Sequence, residues 1–144
     1  MNLVRKTIEG AAIGVAVADT PASLKAFLQP GCAAAVWRRQ TPPAVQAWLD
    51  ALGPEVLPRG RVVLPAHKIG QTVEHLFDIA GLPKDDSRDW LHADIVSLAD
   101  MFADLLGVTY LRLRLEPVTT NACRKFHIDA ITARLVCTYR GPGT

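Results

Sequence analysis

The 144-residue chain carries little cysteine, few aromatic residues (6%) and no strong charge of either sign. Its three cysteines, Cys32, Cys123 and Cys137, form no Cys-x-x-Cys pair, which removes zinc ribbons and dithiol redox motifs from consideration. An odd, small number of thiols in a chain long enough to build a core fits reduced cysteines and a cytoplasmic location. Sixteen basic residues against fourteen acidic ones leave a net charge of +2, too weak a field to draw nucleic acid or an anionic membrane surface. Arg38 and Arg39 form a small basic spot that a strand end in solvent explains. No apolar run approaches the ~20 residues that span a bilayer. There is no internal repeat, low-complexity segment or linker, and the length suits one domain, 1–144.

What the chain does have is periodicity. The opening "MNLVRKTIEGAAIGVAVADT" mimics a secretion signal, but its apolar patch is short and Glu9 lies between the basic and apolar parts. We read it as an ordinary segment leading into a buried strand at 11–18. Thr20-Pro21 marks a helix start, with Leu24, Phe27 and Leu28 as its apolar face and Pro30-Gly31 as its end. "CAAAVWRR" at 32–39 reads as a strand. Thr41-Pro42 repeats the start signal ahead of Val45, Trp48, Leu49 and Leu52, with Gly53 placed to stop the helix. "PRGRVVLP" at 58–65 reads as a short strand, and 69–80 as an amphipathic helix ended by Gly81.

The longest helix is expected from Asp86 or Ser87 to Gly107, with Leu91, Ile95, Leu98, Phe102 and Leu105 on one face. The period then switches to two. In "YLRLRLEPV" at 110–118, Leu111, Leu113 and Leu115 alternate with Arg112, Arg114 and Glu116. "ITARLVCTYR" at 131–140 is β-branched and aromatic, a further strand. Helices first and strands last imply an α+β fold with N-terminal helices packed on a sheet.

The triplet His-x-Asp occurs twice. On a helix, two residues advance about 200°, so His92 and Asp94 point to different sides and cannot share an ion. They are expected as solvent-facing residues. In extended backbone the side-chain period is two, so His127 and Asp129 would project together, about 6.6 Å apart at Cα. Imidazole plus carboxylate suits Fe(II), Zn(II) or Mn(II), and supplies two members of a two-His-one-carboxylate face. Arg134 follows on the next strand, and Arg112 and Arg114 lie on the strand before; guanidinium groups there would clamp a carboxylate. The plainer reading pairs these arginines with Glu116 and nearby aspartates on a solvated face. Cys123 and Cys137 are soft ligands for a zinc alternative, or small buried hydrophobes.

The segment "LRLRLEPVTTNACRKFHIDAITARLVCTYRGPGT", densest from Cys123 to Thr144, resembles the DUF1826 family of bacterial proteins, and "AAAVWRR" at 33–39 resembles its N-terminal strand. Its His-x-Asp, Arg-bearing strand and Tyr are similar to the prolyl-hydroxylase-like 2-oxoglutarate oxygenases. That likeness implies Fe(II) held by His127 and Asp129, and 2-oxoglutarate bound by Arg134 or Arg112 with Tyr139 hydrogen-bonded to it. It also implies a small-molecule or peptide substrate. The C-terminal strands would then open a double-stranded β-helix. Relatives are expected to continue past Gly-Pro-Gly-Thr with more strands and another histidine, so the chain is expected to be truncated before those strands. The alternatives are a zinc-binding or metal-handling protein without turnover, and a non-catalytic interaction module.

Overall fold

The computed structural model describes residues 15–118, 123–130 and 133–141, with the backbone alone at Ser23, Val118 and Cys123–Ala130. The chain divides into two compact units, Met1–Gln40 and Thr41–Thr144.

In the first unit, β1 (Val15–Ala18) pairs in parallel with β2 (Ala34–Trp37), from Val15 opposite Ala34 to Ala18 opposite Trp37. A parallel pair needs a crossover. Here it contains α1 (Ala22–Lys25) and a 3-10 turn (Ala26–Leu28). Ala16 and Val17 are buried, as a buried strand requires; the earlier part of the expected strand, 11–14, lies outside the described residues. Leu28, expected on an apolar helix face, is 55% exposed. The tightening to 3-10 geometry at Ala26 explains this, because three residues per turn shift the i, i+4 face out of line. Arg38 and Arg39 are more engaged than a solvated strand end: Arg38 Nε meets Asp19 Oδ1 at 2.9 Å, and the Arg39 guanidinium lies 4.8 Å above the Trp37 ring.

The second unit holds α2 (Pro43–Ala51), β3 (Gly60–Pro65), α3 (Ile69–Ala80), α4 (Asp86–Leu106), β4 (Tyr110–Val118), β5 (Cys123–Ala130) and β6 (Ala133–Arg140). The four strands form an antiparallel sheet in the order β3-β4-β5-β6. This is the α+β arrangement that the change of period implied. The start of α2 differs in detail: Pro42 occupies the cap position and no side chain caps the helix, so Thr41 does not serve as the cap.

The two central helices end as their sequence dictates. Asp85 Oδ1 accepts from the Ser87 backbone N–H at 2.8 Å, and Asp86 and Asp89 place negative charge at the positive end of the α4 dipole. Gly81 closes α3 at φ +80° and Gly107 closes α4 at φ +64°, backbone that side chains disfavour.

Strand alternation decides which sheet face is covered. Leu111, Leu113 and Leu115 of β4 are buried, as is Leu64 of β3. They pack with Val73 and Phe77 of α3 and with Leu91, Ile95 and Leu98 of α4, all buried. Each such side chain contributes roughly 1.5–3 kcal/mol on burial. The opposite face bears Arg61, Val63, Arg112, Arg134 and Val136, all exposed, with Val63 at 61% and Val136 at 46%.

Candidate functional site at the outer face of the sheet

The extended backbone expected around the second His-x-Asp triplet is β5. Its register is regular against both neighbours over this stretch. His127 pairs with Arg114 on β4 and with Val136 on β6; Asp129 pairs with Arg112 and with Arg134. Directly opposed residues of an antiparallel pair belong to the same face, and residues two apart along a strand share it. Positions 127 and 129 therefore belong to the face that carries the arginines, with Asp129 between Arg112 and Arg134. The intervening row, Leu113, Ile128 and Leu135, belongs to the helix-covered face.

Four arginine positions thus share the outer face: Arg61, Arg112, Arg114 and Arg134. Arg61 stands opposite Arg114, and Val63 opposite Arg112. Arg114 Nη2 donates to Glu116 Oε1 at 3.2 Å, the partner that the plainer sequence reading gave it. Arg61 was not singled out from the sequence. The alternation Arg61-Val62-Val63-Leu64 was the available signal, since it puts Arg61 and Val63 on the face opposite Leu64.

Tyr139 belongs elsewhere. It is buried at 2% exposure, and its hydroxyl donates to Asp94 Oδ2 of α4 at 2.6 Å. It is on the helix-covered side of the sheet, whereas positions 127 and 129 belong to the outer face. Its strand is anchored there a second time, where Gln46 Nε2 of α2 donates to the Tyr139 carbonyl at 3.0 Å. Arg140 Nη1 also donates to the Leu52 carbonyl at 2.8 Å.

The first His-x-Asp triplet needs correction. His92 and Asp94 diverge around α4, as the helical period requires, but neither is a free solvent-facing residue. His92 Nε2 donates to the Gly70 carbonyl at 2.8 Å, and its ring meets Phe77 edge-on with centroids 6.3 Å apart. Asp94 receives the Tyr139 hydroxyl. Both residues serve packing, one toward α3 and the other toward β6. His67 and His75 are exposed, on the 3-10 turn before α3 and on α3 itself.

Cys123 pairs with Val118, in the row of Arg112, Arg114 and Glu116. Cys137 pairs with Phe126, in the row of Leu113 and Leu115, and is half-buried. The two thiol positions thus belong to opposite faces, Cys123 to the face of position 127 and Cys137 to the helix-covered one. Among the described residues no three His, Cys, Asp or Glu side chains are grouped to hold a metal. Among them, too, no helix is long and apolar enough to cross a membrane.

The most perturbed electrostatic site lies away from this face. Arg88, 3% exposed, donates to the Leu82 carbonyl at 2.6 Å and to Glu74 Oε1 and Asp78 Oδ1 at 2.7 Å each. Its guanidinium sits 5.4 Å from the Phe77 ring centre. Burial works against the Arg88 charge, but the hydrogen bonds to Asp78 and Glu74 outweigh it and raise its pKa. The hydrogen bond from Arg88 holds the Asp78 carboxyl below its ordinary value. This cluster fastens α3 to α4.

The helix-backed antiparallel sheet with an arginine-bearing outer face defines the class of structure. By sequence the chain belongs to a known family: the model described as "Protein of unknown function (DUF1826)" matches residues 18–144. No curated protein and no solved structure matches it.

Proposed function

We propose that the outer face of the sheet is a metal site of the Fe(II)- and 2-oxoglutarate-dependent oxygenase type, with His127 and Asp129 as ligands. The observation that carries this reading is the register: Asp129 pairs with Arg112 on one side and Arg134 on the other, and His127 lies two residues away on the same face. Helices cover the opposite face, as expected of a sheet that serves as the supported wall of a double-stranded β-helix. The chemistry of the pair fits the ion, since neutral imidazole and carboxylate are both suitable Fe(II) ligands.

Arg112 and Arg134 are the residues for the cosubstrate, because a guanidinium presents paired donors to a carboxylate. Tyr139 has no part in this reading, since its hydroxyl is committed to Asp94. Bound iron would supply oxygen activation. The protein's contribution is to hold the ligands on a rigid strand and to fix the acid's orientation. The other histidines here are His67, His75 and His92.

Anaerobic titration with Fe(II) and 2-oxoglutarate tests the proposal. It predicts a visible charge-transfer band, and succinate on admission of air. Absence of both would refute it. Tightly held zinc that iron does not displace would favour the alternative, a metal-handling protein without turnover.

A further inference from the structure

We propose that Arg61 and Arg114 hold the phosphate group of a phosphorylated small molecule on the outer face of the sheet. The two residues are directly opposed across β3 and β4. Opposed Cα atoms in an antiparallel pair lie about 4.5–5.5 Å apart. Like charges so placed destabilise the pair. An anion between them turns that repulsion into two attractions.

The surroundings strengthen the field. Arg112 and Arg134 occupy the adjacent row, with Lys125 in the row of Glu116. Five basic positions therefore share the face with two acidic ones, Glu116 and Asp129. Glu116 already engages Arg114 through a single 3.2 Å bond, which shows that this guanidinium takes an oxyanion. Arg61 is exposed and makes no hydrogen bond or ion pair with any described residue. Among the described residues β3 is an edge strand of the sheet, and Arg61 is exposed on it.

Two guanidinium groups offer more donors than the two oxygens of one carboxylate accept. A phosphate monoester carries three terminal oxygens and up to two charges, which matches paired arginines better. His127 lies in the same row as Arg61 and Arg114, two strands from β3. That separation is about 10 Å. On the metal-site reading, which this last step rests on, the substrate would be a phosphorylated compound whose reacting part extends that far from its phosphate.

The test uses the whole chain, metal-free in the presence of chelator, titrated with inorganic phosphate at constant ionic strength. Acetate serves as the carboxylate arm and chloride as the control. We expect saturable phosphate binding, at least tenfold tighter than acetate, and at least tenfold weaker in Arg61→Ala and in Arg114→Ala. Arg61→Gln provides a second variant should Arg61→Ala fold poorly, and binding is expected to be unchanged in Lys84→Ala, at an exposed position outside the sheet. No saturable phosphate binding would overturn the proposal, as would acetate binding equally well or Arg61→Ala and Arg61→Gln binding like the wild type. An equal loss of binding in Lys84→Ala would overturn the assignment to Arg61 and Arg114. Because no metal is present, either result leaves the iron titration to stand or fall on its own.

Discussion

The hydroxyl of Tyr139 donates a 2.6 Å hydrogen bond to Asp94 Oδ2 and thereby ties β6 to α4. The tyrosine is almost wholly buried, so its oxygen has no alternative in water. Bonds of hydroxyl to carboxylate at this length are charge-assisted.

Replacing Tyr139 by Phe keeps the ring and removes the bond. The expected loss is about 1.5–3 kcal/mol by urea unfolding. Because Tyr139 takes no part in the proposed metal site, Tyr139→Phe should bind Fe(II) and 2-oxoglutarate as the wild type does. A cosubstrate affinity that fell tenfold in a well-folded Tyr139→Phe protein would put the tyrosine back in the site.

Arg88 makes the second prediction. Removing it takes the donor from the Leu82 carbonyl and leaves Glu74 and Asp78 beside each other without the guanidinium between them. Arg88→Met should cost about 2–4 kcal/mol. The pH dependence follows from Asp78. Its folded pKa is lowered from 3.8, so its contribution is present above that value and disappears as the pH falls through the lowered one. The wild type should therefore lose stability in acid from about pH 4 downward, and Arg88→Met should lose less over the same range. Parallel acid unfolding curves for the two proteins would contradict this.

The two sheet faces should respond differently to truncation. Leu113 is wholly buried, and Leu113→Ala should cost about 2–5 kcal/mol. Its neighbour Arg112 is exposed, and Arg112→Ala should change stability by no more than about 0.5 kcal/mol. Comparable losses in both would mean that both faces are packed.

Much of this arrangement was legible in the sequence because the periods are clean. Leu91, Ile95 and Leu98 mark α4, and Leu111, Leu113 and Leu115 mark the covered face of β4. The shared face of His127 and Asp129 follows from extended backbone alone. Their neighbours Arg112, Arg114 and Arg134 could be placed on adjacent strands but not in register, since register depends on the turns and on packing. Tyr139 was misread although a signal existed: it falls in the alternation of Leu135 and Cys137, the apolar set of β6. The roles of His92 and Asp94 were not legible, because a helix packed on two sides buries residues that its principal stripe leaves out. Arg88 was hidden for a similar reason, as its three acceptors come from α3 and the segment after it.

The proposed metal site places an ion on the arginine-bearing face, held by His127 and Asp129. Titrating isotopically labelled protein with Mn(II) locates the ion directly, through paramagnetic broadening of backbone amide signals. Selective loss of signals is expected around residues 112–114, 127–129 and 134–136, with α3 and the N-terminal half of α4 spared, and no such pattern in a folded His127→Ala, Asp129→Ala double variant. Broadening centred on α3 or α4, or the same pattern in the double variant, would contradict it.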